Sequence, residues 1–153
     1  MSEQNQGREM LALLFTDLVG STQLKSQIGG EVYARKVLDP HNRLFREIPQ
    51  AIPGARVLGF TGDGFFAAFR VVADGVKMAL LFQQALREYP WESVAPLTRS
   101  GIHVGEVVPV EAVVPGQTAV VGQAADVCAR LMGLAGAQSQ DEGGPCLQIS
   151  SPS

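Results

Sequence analysis

The chain has 153 residues, of which 46% are hydrophobic and 18% are charged. This length and composition predict one globular domain and exclude a disordered chain. A net charge of −3 without any cluster of Lys or Arg argues against a nucleic-acid-binding surface, and no apolar segment has the length of a membrane span.

The first part of the chain predicts a short strand followed by a long helix. Residues 1–9 form a polar tail, which excludes a signal peptide and favours a cytoplasmic protein. The apolar run 10–15 has the length of a buried strand. Apolar residues then recur at helical spacing over 24–48, where Pro40 is expected to bend or split the helix.

The remainder of the chain predicts two hairpins, two helices and two further strands. Residues 55–61 and 65–69 form strand-like runs joined by Gly62-Asp63-Gly64, a typical hairpin turn. The further predicted elements are a helix at 71–89, a strand at 98–110, a hairpin within 113–121, a helix at 124–134, a loop at 133–145 and a last strand at Cys146–Ser150.

Hairpins mixed with helical connections predict an α+β fold, with helices packed on a mainly antiparallel sheet. We expect a single domain at 10–153. Because the last residues, 150–153, contain no closing element, we also expect this domain to be truncated at its C-terminus and to precede further domains in the parent protein.

The first candidate site follows the strand at 10–15. Asp17 ends a buried strand, and Gly20-Ser21-Thr22 then begins a helix, whose unpaired backbone N–H groups suit phosphate oxygens. Phosphate beside Asp17 requires a hard cation between them, such as Mg²⁺ or Mn²⁺. The alternative is that Asp17 is merely a turn or N-cap residue, and spacing alone leaves this open.

The second candidate is Asp63 at the tip of the first hairpin. Glycines on both sides would allow a ligand to approach the backbone closely, although Asp–Gly is also a favoured turn without any function. The two candidates support each other, because two facing carboxylates would require a cation.

Four segments, 14–22, 60–66, 100–107 and 122–131, together resemble the catalytic domain of class III adenylate/guanylate cyclases. They occur in the family order and with family-like spacing. The resemblance extends from about Leu11 to Ser150 and implies a ferredoxin-like, class III cyclase-type sandwich.

This resemblance also implies a homodimer with two composite active sites. By the match, Asp17 and Asp63, helped by the Leu18 carbonyl, would bind two Mg²⁺ or Mn²⁺ ions. One ion would activate the ribose 3′-hydroxyl for attack on the α-phosphorus, and the other would stabilise leaving pyrophosphate. Arg130 corresponds to the transition-state arginine. The triphosphate would be cradled by the backbone of four consecutive residues: Val19, Gly20, Ser21 and Thr22.

The chain departs from the family at three positions. Gly59 replaces the base-reading Lys, and Ala119 replaces the base-reading Asp. Asp126 takes the place of the ribose-orienting Asn. An extra carboxylate near phosphate is unfavourable by a few kcal/mol, on the order expected at an effective dielectric of 20. Asp126 must therefore turn away, be protonated or meet a metal.

These patterns predict a metal-dependent nucleotidyl cyclase that acts on a nucleoside triphosphate, with ATP as the default substrate. The alternative is a degenerate cyclase-like regulatory module without turnover. His41, His103, Cys128 and Trp91 are interpreted as structural residues, because His and Cys lack partners at metal-ligand spacing. The valines of 113–121 are expected to form an exposed dimer arm.

Overall fold

The computed structural model describes residues 7–61, 63–111, 115, 118–138 and 146–150. The strands of this part are β1 (Glu9–Leu18), β2 (Arg56–Thr61), β3 (Gly64–Phe69), β4 (Thr98–Glu111), β5 (Thr118–Val121) and β6 (Cys146–Ser150). The α-helices are α1 (Ser21–Ile28), α2 (Gly30–Tyr33), α3 (Asp39–Glu47), α4 (Val72–Glu88) and α5 (Gln123–Gln138).

The strands form one sheet in the order β2-β3-β1-β4-β5, with antiparallel neighbours throughout. Strand β6 pairs in parallel with residues 99–103 of β4, whereas β5 pairs with residues 108–111 of the same strand. A parallel neighbour requires a crossover, which α5 provides. The predicted α+β fold, with helices on a mainly antiparallel sheet, is confirmed.

Alternating side chains of β1 belong to two hydrophobic clusters, one on each face of the sheet. Ala12 and Leu14 belong to the cluster that contains residues of α3 and α4. Leu11 and Leu13 belong to the other cluster, together with residues of α5. Burial on both faces explains why β1 has a nearly continuous apolar sequence.

The predicted break of the first long helix occurs in two steps. Gly29, with φ 88°, separates α1 from α2. A π-helical turn, Ala34–Leu38, then leads into α3, where Pro40 is the second residue. Because proline lacks an N–H and its ring collides with the carbonyl four residues earlier, the wider turn accommodates Pro40 without ending the helical path.

Two predicted boundaries require correction. The proposed loop at 133–145 begins too early, because α5 continues to Gln138 and buries Ala135 completely. The hairpin expected within 113–121 instead joins the end of β4 to β5, with Val110 opposite Ala119. Residues 112–114 lie outside the described part, so the proposed dimer arm is not tested.

The residues interpreted as structural have structural surroundings. The His41 ring is fully buried beside Phe65 and Phe82, and the indole nitrogen of Trp91 donates to the Leu86 carbonyl. Burial raises the pKa of the Cys128 thiol to about 11, as expected for an unreactive core cysteine. None of the described helices has both the length and the apolar character needed to cross a membrane.

Replacement of Gly101 by alanine is expected to loosen the packing of α5 on β4. An alanine Cβ at this position would lie 2.6 Å from the backbone nitrogen of Met132, which is closer than real Cβ contacts. We expect a loss of about 1–3 kcal/mol in the free energy of unfolding, measured by chemical denaturation.

Gly133→Ala on the same helix is the matched control for this substitution. Its Cβ would meet no atom within 4 Å, and a helical alanine is favoured over glycine by up to about 1 kcal/mol. Equal stability of Gly101→Ala and the wild type would contradict the observed close approach.

The buried His41 should make the stability of the fold depend on pH. Burial lowers the pKa of His41, and the hydrogen bond with Asn42 only partly offsets this effect. The neutral His41 ring makes its full contribution to the free energy of unfolding above about pH 6.5, the pKa of histidine in the unfolded chain. This contribution is lost as the pH falls towards the lower pKa of His41 in the folded protein. Relative to His41→Leu, the wild type should therefore lose unfolding free energy only below about pH 6.5. Parallel stability curves for the two proteins would contradict this assignment.

Candidate functional site

Asp17 lies near the end of β1, directly opposite Arg99 in the register of β1 with β4. The Arg99 guanidinium donates from Nη2 to Oδ2 of Asp17 over 2.9 Å. Both side chains are about one quarter exposed, at 29% for Arg99 and 24% for Asp17, so they remain accessible to a ligand. The first predicted site residue is therefore a partly buried carboxylate with a cationic partner.

Asp63 lies in the turn between β2 and β3, and the pairing of β3 with β1 brings this turn to the same end of the sheet. Thr16 faces Phe65 across the two strands, and the Phe65 N–H donates to the Thr16 hydroxyl oxygen. The carboxyl groups of Asp17 and Asp63 are close enough to share a hydrogen bond. The structure thus brings the two predicted metal ligands together.

Helix residues around Asp63 hold its carboxylate in place. The Tyr33 hydroxyl donates to Oδ2 of Asp63 over 3.4 Å. Ser21 also contributes a side-chain hydrogen bond to this carboxylate. Burial, followed by the charge of Asp63, raises the pKa of Tyr33, so this hydroxyl remains a proton donor.

The two carboxyl groups have opposite pKa shifts. Burial raises the pKa of Asp17, and the hydrogen bond and charge of Asp63 add to this effect, which Arg99 only partly offsets. Burial also acts to raise the pKa of Asp63, but hydrogen bonds, with Ser21 making the largest contribution, hold it below its usual value. The two directions differ because burial dominates at Asp17, whereas hydrogen bonds outweigh burial at Asp63.

Val19 and Gly20 connect β1 with the first turn of α1, and the backbone amides from Val19 to Thr22 differ in whether they are free to bind a ligand. The Val19 amide already donates to the Leu97 carbonyl over 2.8 Å, which anchors the loop to the segment before β4. Gly20 has φ 64° and ψ 28°, a left-handed conformation that L-residues with side chains rarely adopt. The amides of Ser21 and Thr22 belong to the first turn of α1 and have no partner within the helix.

A pocket of about 310 Å³ lies beside these groups. Its lining residues are Ser21, Thr22, Lys25, Tyr33, Leu38 and Asp63. Leu18 lies beneath it, buried with Tyr33 and Val37 in a small hydrophobic cluster. The pocket combines helix-start amides and a cationic side chain with a carboxylate, which is a suitable surface for an anion that carries metal ions.

Asp17 and Asp63 fit a magnesium-type site in their chemistry. Among the described residues, no group of three or more His, Cys, Asp or Glu side chains is placed to hold a metal ion. A hard divalent cation bound to substrate phosphates needs only one or two carboxylates, with backbone carbonyls and water completing its oxygen shell. The residues present therefore suit Mg²⁺ or Mn²⁺ bound together with a phosphate ligand.

Gly59 and Ala119 lie on β2 and β5, two strands that contact each other. Gly59 follows a bulge in β2, and a Cβ at this position would meet no atom within 4 Å. Ala119 is half-buried on β5, opposite Val110. Neither residue supplies a polar side chain, so the positions predicted to contact the base offer space but no side-chain hydrogen bond.

Asp126 and Arg130 are exposed on α5 and separate from the carboxylate pair. They stand four residues apart, on the same side of the helix, and Asp126 lies in its first turn. Within the described part of the chain, no hydrogen bond or ion pair links Arg130 to Asp17 or Asp63. One chain thus brings the predicted metal residues together but does not bring the predicted transition-state arginine to them.

Three residues at the site were not among the predicted ones, namely Arg99, Tyr33 and Lys25. Arg99 would have required the register of β1 with β4, which unites residues 82 positions apart. Lys25 stands four residues after Ser21, so helical spacing from the candidate helix start would have indicated it. Tyr33 resembles an ordinary core position and gave no signal.

The pKa of Asp17 should respond in opposite directions to the loss of its two neighbours. Asp63→Asn removes a like charge and is expected to lower the pKa of Asp17, whereas Arg99→Met removes an opposite charge and should raise it. Carboxyl ¹³C chemical shifts, followed during a pH titration, measure both changes. An Asp17 titration that is the same in both variants would show that the side chains do not interact.

Comparisons with known proteins give structural relatives only. No profile of a known protein family matches the chain, and no curated protein matches it either. A bacterial light-regulated adenylyl cyclase has 18% sequence identity and a TM-score of 0.75, covering 94% of this chain and 76% of its own. A double mutant of the guanylyl cyclase domain of the RhoGC fusion protein from Blastocladiella emersonii has 14% identity and a TM-score of 0.73, with coverage of 84% and 75%.

A third solved structure is the guanylate cyclase domain of RhGC from Catenaria anguillulae in complex with GTP, at 16% identity and a TM-score of 0.70. It covers 82% of this chain and 72% of its own. At these identities the likeness concerns the arrangement of the backbone. The chain has the fold of the class III adenylyl and guanylyl cyclase catalytic domains.

Proposed function

We propose that this domain is a metal-dependent nucleotidyl cyclase, which converts a nucleoside triphosphate to a 3′,5′-cyclic nucleotide and pyrophosphate. The observation that carries this proposal is the pairing of Asp17 with Asp63 next to the start of α1. Two carboxylates beside unpaired amides are chemically consistent with metal-bound phosphates. The cyclase fold supports the same reading.

In this proposal the residues around Asp17 and Asp63 have separate roles. Asp17 and Asp63, with the Leu18 carbonyl, hold two Mg²⁺ or Mn²⁺ ions, which supply a deprotonated nucleophile and neutralise phosphate charge. The amides of Gly20, Ser21 and Thr22 orient the triphosphate. The Val19 amide is committed to Leu97, so Val19 contributes by fixing the loop.

The proposed reaction is an in-line displacement within one substrate molecule. The ribose 3′-oxygen forms a bond to the α-phosphorus, and the bond from that phosphorus to the bridging oxygen breaks. Pyrophosphate leaves with the bonding electrons, and the proton of the 3′-hydroxyl passes to solvent. Negative charge grows on the phosphate oxygens, where the Arg130 guanidinium is suited to stabilise it.

Arg130 supports the proposal of a homodimer with composite sites. Arg130 and Asp126 are exposed on α5 and, among the described residues, form no hydrogen bond or ion pair with Asp17 or Asp63, so a second protomer is the simplest source of these groups at each carboxylate pair. We therefore assign the metal ligands of one active site to one protomer and its Arg130 to the partner. We expect this assembly in the cytoplasm, acting in cyclic-nucleotide signalling.

Asp126 favours a second candidate function, a cyclase-like module that binds nucleotide or a partner without turnover. Its exposed carboxylate would face an anionic substrate, and Gly59 and Ala119 leave the base without side-chain hydrogen bonds. The structural relatives include both adenylyl and guanylyl cyclases. ATP is the default substrate, and the base requires direct measurement.

Turnover is the decisive measurement for these two functions. The 153-residue protein is incubated with ATP, GTP, CTP or UTP in Mg²⁺ and in Mn²⁺, and cyclic products are identified by mass spectrometry. We expect one or more cyclic nucleotides, and a loss of at least about 100-fold in Asp17→Ala and in Asp63→Ala, as for other charge-stabilising groups.

Asp74→Ala is the matched control, because Asp74 is a carboxylate in the first turn of α4, away from the pocket. Its activity should equal that of the wild type. Metal-dependent nucleotide binding by a dimer that forms no cyclic product would establish the regulatory module instead. Absence of both binding and product would contradict both candidate functions.

A further inference from the structure

Lys25 is a cationic side chain in the pocket that Asp63 lines, and it has no role in the function proposed so far. It stands four residues after Ser21 and three after Thr22, so all three lie on the side of α1 that lines the pocket. Asp63 and Tyr33 line the same pocket, so an anion bound there would lie near the Lys25 side chain.

The surroundings of Lys25 leave its charge available. Two neighbouring cations on the helical segments are paired, Arg35 with Glu31 and Lys36 with Glu92. Within the described part of the chain, by contrast, no carboxylate lies within ion-pair distance of Lys25. Its Cε would lie 3.6 Å from a Cβ on Gly30, so the lysine stem passes over a residue without a side chain.

The charge of a loaded pocket gives a reason for this cation. Two carboxylates and a nucleoside triphosphate together carry about six negative charges, which is about two more than two divalent cations neutralise. Arg99, already beside Asp17, supplies one compensating charge. Lys25 lines the pocket as a further cation near the phosphates, in addition to the Arg130 that the proposed function assigns to them from the partner protomer.

We propose that Lys25 binds the triphosphate chain of the substrate in this pocket. This proposal rests on the function proposed above, because it adds a residue to the same site. It assigns the substrate's phosphate chain, rather than its base, as the part that this protomer recognises. Since the base positions Gly59 and Ala119 carry no polar side chains, phosphate recognition would then supply much of the binding energy.

The test uses inorganic tripolyphosphate with Mg²⁺, a probe without a base. Isothermal titration calorimetry measures its Kd for the wild type and for Lys25→Met. We expect binding to weaken about tenfold in the variant, the size of one lost charge-assisted contact, and to depend less steeply on salt. Lys25→Arg should retain most of the affinity, because it keeps the charge.

Lys77→Met is the matched control, since Lys77 is exposed on α4 and does not line the pocket. It removes the same charge and should leave the Kd unchanged. Lys25 is itself exposed, so the melting temperature of Lys25→Met should equal that of the wild type.

The outcomes separate this inference from the proposed function. Cyclic-nucleotide formation by the wild type, together with equal tripolyphosphate affinity of the wild type and Lys25→Met, would overturn the role of Lys25 and leave the cyclase proposal intact. Equal weakening in Lys25→Met and Lys77→Met would also overturn it, because the effect would then reflect net charge alone. A wild type that binds neither tripolyphosphate nor any nucleoside triphosphate would overturn both proposals.

Discussion

The position of β1 between β3 and β4 determines the chemistry of the candidate site. Pairing with β3 brings the Asp63 turn beside the end of β1, and pairing with β4 places Arg99 opposite Asp17. A slip of one residue in either pairing would turn the Asp17 side chain to the other face of the sheet. Because β1 is buried on both faces, a slip would move every one of its packed side chains to a different place in the core. The register of β1 is therefore well determined.

The cost of holding two carboxylates together is shared among several groups. Desolvation and mutual repulsion favour protonation of Asp17, while Arg99 opposes it. Hydrogen bonds stabilise the charged form of Asp63, with Tyr33 as one donor. Two carboxyl groups held together in this way repel each other when both are charged, and a divalent cation between them would relieve that repulsion.

Asp17 and Asp63 could be singled out from the sequence because both signals are local, and the two carboxyl groups do interact, while their role as metal ligands stays a proposal. A strand end with a helix start, and a glycine-rich turn, can be recognised within a few residues, and a resemblance of four ordered segments then connected them. The same local reasoning gave the α+β class and most of the elements. The end of α5 was wrong because Gly133 and Gly136 resemble loop residues, whereas burial of Ala135 continues the helix.

Contacts between distant parts of the chain could not be predicted from the local sequence. The Arg99 partner of Asp17 depends on strand register over 82 residues, and the use of the Val19 amide depends on the path of the chain at Leu97. The availability of Lys25 depends on which neighbouring cations find carboxylates. These properties arise only after the elements have packed, since each of them is set by a partner that the local sequence does not contain.

The packing of α5 explains why the site has two separable halves. Gly101 and Gly105 allow α5 to lie directly on β4, and this fixed contact carries Asp126 and Arg130 on the outer side of the helix. The carboxylate pair, at the end of β1, is set by different strand pairings. In the proposed function, changes at Ala119 and Asp126 would therefore alter the proposed base and ribose contacts without changing the strand pairings that bring Asp17 and Asp63 together. Because Gly59 and Ala119 carry no polar side chains, the same proposal favours recognition of the phosphate chain over recognition of the base.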